Sequence, residues 1–248
     1  LSVCLFIQLN AQPIIEWSNQ YGGGNNDYGA QVVELTDGSF LFVASTQSND
    51  FDIPGNSGKV DLWYFKLSST GELLWSKTFG GSEVDLGGKV VLTPEGSVLF
   101  SSIIHSQDGD ITESRGLSDT WLFKVNSDGD IERTSVYGGS SGDNLSGIFS
   151  LKEGSYLLFG MTYSSDFDFD LHRGDGDAAL IKINASGDII WSHTYGGSLS
   201  DGISAIKETE NGDLILLGNS ESSDGDISEN KGETDVWIAR TDKDGNLL

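Results

Sequence analysis

Asp-x-Asp recurs four times in this chain, as Asp50-Phe51-Asp52, Asp108-Gly109-Asp110, Asp166-Phe167-Asp168 and Asp224-Gly225-Asp226. Each copy is followed at a constant distance by a further acid, Asp61, Asp119, Asp177 or Asp235. Two carboxylates spaced by two in a loop can converge, with loop carbonyls, on a hard cation, so Ca2+ is the ligand this pattern suggests. The third copy is the richest, crowding Asp166, Asp168, Asp170, Asp175 and Asp177 around His172. A structural reading competes with the metal. Asp before Gly, or at a strand start, commonly accepts a hydrogen bond from its own backbone in an Asx-turn, and a repeated turn repeats its Asp. The loops do not match EF-hand spacing, and both readings stay open at this level.

Other chemistry has less to stand on. The three histidines, His105, His172 and His193, fall out of register with one another. The sequence holds no His-rich metal cluster, nucleophile elbow, Gly-rich phosphate loop or Cys/His pair. Paired carboxylates could serve acid/base hydrolysis of a glycoside, but catalytic residues usually break a repeat, and these acids follow one.

The elements that must position the acids are repeats. Tyr21-Gly22-Gly23, Phe79-Gly80-Gly81, Tyr137-Gly138-Gly139 and Tyr195-Gly196-Gly197 are spaced by 58 residues without insertion. Asp27, Asp85, Asp143 and Asp201 keep the same period, as do Gly38, Gly96, Gly154 and Gly212. Self-similarity at a period of this size indicates a solenoid, propeller or array. Within one repeat, Ala30 to Leu35, Ser39 to Ser45, Asp61 to Leu67 and Glu72 to Phe79 read as four short strands. Thr36-Asp37-Gly38 turns between the first two, and Ser68-Ser69-Thr70-Gly71 between the last two.

The third strand is apolar on both faces, with Leu62 and Tyr64 on one side and Trp63, Phe65 and Leu67 on the other. Such a strand belongs to a sheet covered on both sides, as in stacked blades. The fold class expected is therefore all-β, a β-propeller of four-stranded antiparallel blades with four repeats. Its structural rival is a parallel β-helix, whose coils usually repeat at shorter periods. Trp63, Trp121 and Trp237 at one position, and Trp17, Trp75 and Trp191 at another, read as inter-blade packing. Ala179 and Arg133 interrupt these series and single out the third blade.

Blade register runs 22–79, 80–137, 138–195 and 196–248 within a propeller of residues 13–248, and 14–21 is a lone fourth strand. That strand either completes the last blade of a closed four-blade ring, or the chain is part of a longer propeller. The missing Met, and an end just short of an expected Trp, favour the second reading. Residues 1–12, apolar and then small and polar, read as the remnant of a secretory signal peptide. One cysteine, Cys4, leaves disulfides no role.

Charge narrows the partners. Fourteen basic against 38 acidic side chains give −24, which repels phosphate backbones, so nucleic acid is not an expected partner. No apolar run is long enough to span a membrane.

The motif carried by Tyr21, Gly22, Gly23, Asp27, Gly38, Ser48, Asp50, Asp52, Asp61, Trp63, Lys66, Gly71 and Trp75 resembles the β-propeller repeat of bacterial secreted and cell-surface proteins. The resemblance spans residues 14–248. It implies an extracellular propeller, often one part of a larger exported protein, and no particular reaction. The turn Asn184-Ala185-Ser186-Gly187 followed by Trp191 also resembles the Asp-box hairpin of sialidase-like propellers, although Asp188 stands where that motif has its second Gly. In those propellers the hairpin is structural. The expected function is thus a secreted or cell-surface scaffold or binding module, not an enzyme, recognising a protein or glycan through its loop-rich face. The alternative is a secreted hydrolase or lyase acting on polysaccharide.

Overall fold

A computed structural model describes residues 15–248; the expected signal remnant at residues 1–12 lies outside them. The described chain forms fifteen strands, and among the described residues no helix is long and apolar enough to cross a membrane. The first sheet comprises β1 (Asp27–Glu34), β2 (Phe40–Thr46), β3 (Asp61–Leu67) and β4 (Leu73–Phe79) in sequence order. The second holds β5 (Asp85–Leu92), β6 (Val98–Ile104), β7 (Asp119–Val125) and β8 (Ile131–Tyr137). The third holds β9 (Asp143–Ser150), β10 (Tyr156–Thr162), β11 (Asp177–Ile183) and β12 (Ile189–Tyr195). The fourth has three strands, β13 (Asp201–Glu208), β14 (Leu214–Ser220) and β15 (Asp235–Thr241). All neighbours within each sheet are antiparallel.

Local chemistry sets these boundaries. The β1–β2 hairpin closes when Gly38, at φ 78°, donates its N–H to the Leu35 carbonyl, a left-handed geometry that glycine takes without steric cost. The third strand runs as expected from Asp61 to Leu67, and all seven of its residues are buried. The first strand begins at Asp27, three residues before the expected start, because a register shift between Gly29 and Gln31 hides its alternation until after the bulge.

Sheets stack with the first strand of each blade packed against the strands of the blade before it, and aromatic rings fill the space between and within blades. Tyr64 of the first blade lies 5.3 Å, ring to ring, from Phe100 of the second, and Phe100 stacks on Phe123 at 5.0 Å. Trp121 and Trp237 are buried against Phe79 and Tyr195 of the preceding blade, whereas Trp63 is buried within the first blade beside Phe65. Two members of the second tryptophan series bond to the next blade's turn, while Trp191 packs beside Gly245 with its Nε1–H unpartnered among the described residues. Trp17 and Trp75 donate Nε1–H to the carbonyls of Ser69 and Ser127, each 52 residues ahead. Arg133, the exception in that series, does the same work, its guanidinium reaching the carbonyls of Ala185 and Ser186. The interruption at Arg133 therefore preserves the contact instead of marking a different interface.

Residues 15–21 lie where a fourth strand lies against the blade that follows it. Trp17 bonds to Ser69, and the Tyr21 hydroxyl donates to the Gly71 carbonyl as Tyr137 does to Gly187 and Tyr195 to Gly245. Among the described residues this segment forms no ladder with β15. Outward faces of the end blades leave Tyr28, Val32, Val236 and Ile238 exposed.

Candidate functional site

The segment linking one blade to the next and the loop joining second to third strand meet at one end of the molecule, where the repeated acids gather. Each Asp-x-Asp pair clasps the Gly-Gly link that enters its own blade. The first carboxylate accepts an amide hydrogen at 2.7–2.8 Å: Gly24 N–H to Asp50, Ser82 to Asp108, Ser140 to Asp166 and Ser198 to Asp224. The second accepts at 3.0–3.2 Å: Gly22 to Asp52, Gly80 to Asp110, Gly138 to Asp168 and Gly196 to Asp226.

A third acid closes each clasp. Asp27, Asp85, Asp143 and Asp201 take the N–H of Gly23, Gly81, Gly139 and Gly197 at 2.6–2.8 Å. The same carboxylates accept from the hydroxyls of Ser48, Ser106, Ser164 and Ser222. These bonds are charge-assisted and hold the link rigidly to the blade. The Tyr-Gly-Gly signature follows from them. A side chain on Gly139 would begin 2.5 Å from both Ser164 Cβ and Asp166 Oδ1.

Among the described residues, Asp61, Asp119, Asp177 and Asp235 make no hydrogen bond to the link. Their Oδ2 atoms cap their own loops, accepting from the amides of Ser57, Arg115, Arg173 and Lys231. Oδ1 of Asp61, Asp119 and Asp177 is buried without a hydrogen-bond partner. The expected cation-binding acids are thus brought to one end of the fold, and one oxygen of each accepts backbone hydrogen bonds. Among the described residues no three His, Cys, Asp or Glu side chains converge as a ready-made metal cluster.

Burial pushes the Asp61 carboxyl up to about 6, with the neighbouring Asp85 and Asp110 charges adding to it against the Ser57 amide. Burial likewise raises Asp119 and Asp177, opposed by amide bonds and by Arg115 and Arg173 respectively. Asp108 and Asp166 are held low by hydrogen bonds from Ser82 and Ser140. A carboxyl raised in the fold favours folding while protonated, and that contribution fades as pH rises through its folded value. The melting temperature is therefore expected to rise as pH is lowered from 7.5 to about 5. It should fall again below about 4, as the depressed carboxylates are titrated. Thermal unfolding across this range checks it. Asp61→Asn should flatten the step near pH 6, and an unchanged profile would refute the assignment.

The middle residue of Asp-x-Asp escaped the sequence reading. It is left-handed in every blade: Gly109 at φ 68° and Gly225 at 66°, but also Phe51 at 54° and Phe167 at 53°. That conformation costs an L-residue roughly 1–2 kcal/mol, and the two rings stand 87% and 68% exposed. Comparing each Phe with the Gly one or three repeats away was the signal available. Leu117, Tyr163, Leu171 and Leu199 are exposed on the same loop-rich end. Beside them, a cleft of about 400 Å³ opens between the third and fourth blades, its lining mixed, with Asn144, Asn219 and Glu221 beside Met161, Tyr163 and Ile203.

A search of solved structures finds the crystal structure of a thermostable family-43 glycoside hydrolase, aligned over 91% of this chain and 75% of that chain with a TM-score of 0.50. The fold is a β-propeller. At 12% sequence identity the likeness concerns architecture alone, since propellers host many activities. No protein-family model matches the chain, and no curated protein matches it in sequence. The geometry of the propeller's acids is that of joints between link and blade.

Proposed function

We propose that this propeller is a bacterial extracellular or cell-surface binding module, one part of a larger exported protein, whose loop-rich end recognises a glycan or protein ligand. The observation that carries this reading is the pair Phe51 and Phe167, held left-handed and exposed where two other blades use glycine. Backbone strain that secures an exposed aromatic ring is typical of functional positions, and flat rings on a rigid base suit stacking against sugars or apolar side chains. The repeat's resemblance to secreted and surface proteins and the leader-like residues 1–12 support the location. For the hydrolase alternative, the paired carboxylates it needs are engaged by amides in all four blades.

The test is a double variant, Phe51→Gly with Phe167→Gly, examined on a glycan array and by affinity electrophoresis through polysaccharide gels. Its stability should change by no more than about 1 kcal/mol, because relief of left-handed strain offsets glycine's greater unfolded-state entropy. Glycan affinity should fall more than about tenfold, as expected when aromatic anchors are truncated. Equal binding by both proteins would sink the role of the aromatic pair. Release of reducing ends by the wild type would establish the hydrolase instead.

A further inference from the structure

At their loop-rich ends the three complete junctions between successive blades share the clasp and differ in one basic side chain. At the second, Arg115 extends its guanidinium to Asp168 Oδ2 at 2.7 Å and to the Gly138 carbonyl at 3.4 Å. At the third, Arg173 bonds to Asp226 and, at 3.3 Å, to the Gly196 carbonyl. Each arginine's charge also opposes the burial that raises the carboxyl of the orphaned acid beside it, Asp119 or Asp177. The first junction has the same acceptors, Asp110 and the Gly80 carbonyl, and the same orphaned acid, Asp61. Where the others carry arginine it carries Ser57, and Lys231 fills that position in the fourth blade.

Among the described residues, Oδ1 of the buried acid is unpartnered at all three junctions, but only at the first does the serine leave Asp61 and Asp110 with no basic side chain facing them. Asp61 is 1% exposed, and its Oδ1 accepts nothing. That oxygen is aimed at the link: a side chain on Gly80 would begin 2.6 Å from Asp61 Oδ1 and 2.8 Å from Asp85 Oδ2. The groups acting on Asp61 are the Ser57 amide, Asp85 and Asp110, with no basic side chain among them. Lys59, the nearby cation in sequence, is exposed and paired with Glu83. An unpaired buried carboxylate costs far more than a paired one. Carboxylates and a carbonyl are the hard oxygen donors that Ca2+ prefers.

We propose that the junction between the first and second blades binds one Ca2+ in the place that arginine occupies at the other two, using Asp61, Asp110 and the Gly80 carbonyl, with water completing the shell. The fold thus neutralises the same acidic joint in two ways, with a tethered guanidinium or with an ion from solution. Only the first joint is ion-dependent.

Isothermal titration of the 248-residue chain with CaCl2 should show one site. Millimolar CaCl2 should raise its melting temperature by about 3–6 °C beyond NaCl of equal ionic strength. Ser57→Arg should melt higher without calcium and lose the calcium-specific shift. Asp110→Asn, a change at an exposed position, should abolish the titration signal while leaving the circular dichroism spectrum intact. Asp226→Asn should leave both readouts unchanged. Equal melting in the two salts would overturn the proposal. So would a Ser57→Arg variant that keeps the wild-type calcium shift, or loss of binding in Asp226→Asn.

Discussion

Asp143→Ala is expected to destabilise the protein by about 4 kcal/mol, close to the limit that a domain of ordinary stability tolerates. The side chain is fully buried. It receives the Gly139 amide at 2.6 Å, the Ser164 hydroxyl at 2.8 Å and the Thr162 hydroxyl. Removing it leaves three buried donors facing an apolar methyl, each costing roughly 1–3 kcal/mol when unsatisfied. Relaxation and entering water reduce the simple sum. Urea denaturation followed by tryptophan fluorescence measures the loss. Asp143→Asn retains two acceptor lone pairs and should cost about half as much. A cost below 1 kcal/mol for the alanine variant would show that the clasp contributes little to stability.

The second large effect is expected at Gly139. Its replacement by alanine puts a methyl 2.5 Å from Ser164 Cβ and from Asp166 Oδ1, distances that side-chain carbons do not tolerate. Neither neighbour can retreat freely, because Asp166 holds the Ser140 amide and Ser164 holds both Asp143 and the Ser141 amide. We expect a loss of about 3 kcal/mol, above most overpacking penalties because two hydrogen bonds must break for the link to move. Gly154→Ala is the control. That residue has open space around it but a φ of 90°, so it reports left-handed strain alone, roughly 1 kcal/mol. Equal costs for the two variants would mean that crowding at the link is absent.

How much of this was legible in the sequence depended on which partner a residue uses. Asp61 to Leu67 could be placed to the residue because both of its faces are apolar, and only a sheet covered on both sides buries such a strand. The first strand was harder, since the bulge beside Ala30 shifts its alternation by one. The register of the acids was plain from the period. Their role was not, because the partners of Asp50 and Asp52 are amides 26 and 30 residues away, and amides carry no sequence signature. Pairing with backbone is what the Asx-turn reading anticipated in kind, but the amides belong to a distant link and not to the local turn. Phe51 and Phe167 read as loop hydrophobics until the glycine at the same point of the next repeat is set beside them. Ser57 becomes informative only against Arg115, Arg173 and Lys231.

The clasp has a further consequence for how such a chain changes over time. Every hydrogen bond that fastens a link to its blade is made between residues no more than 30 positions apart. Those that reach the next blade's turn join partners about one period apart. A duplicated or deleted stretch of 58 residues therefore brings with it, or removes, a complete set of donors and acceptors and leaves both neighbouring joints as they were. Blade number in such a molecule is heritable as a unit, free to drift by unequal crossing-over without any compensating point mutation, while insertions of other lengths are filtered out. A period kept through four copies without a single added residue is the record that such filtering would leave.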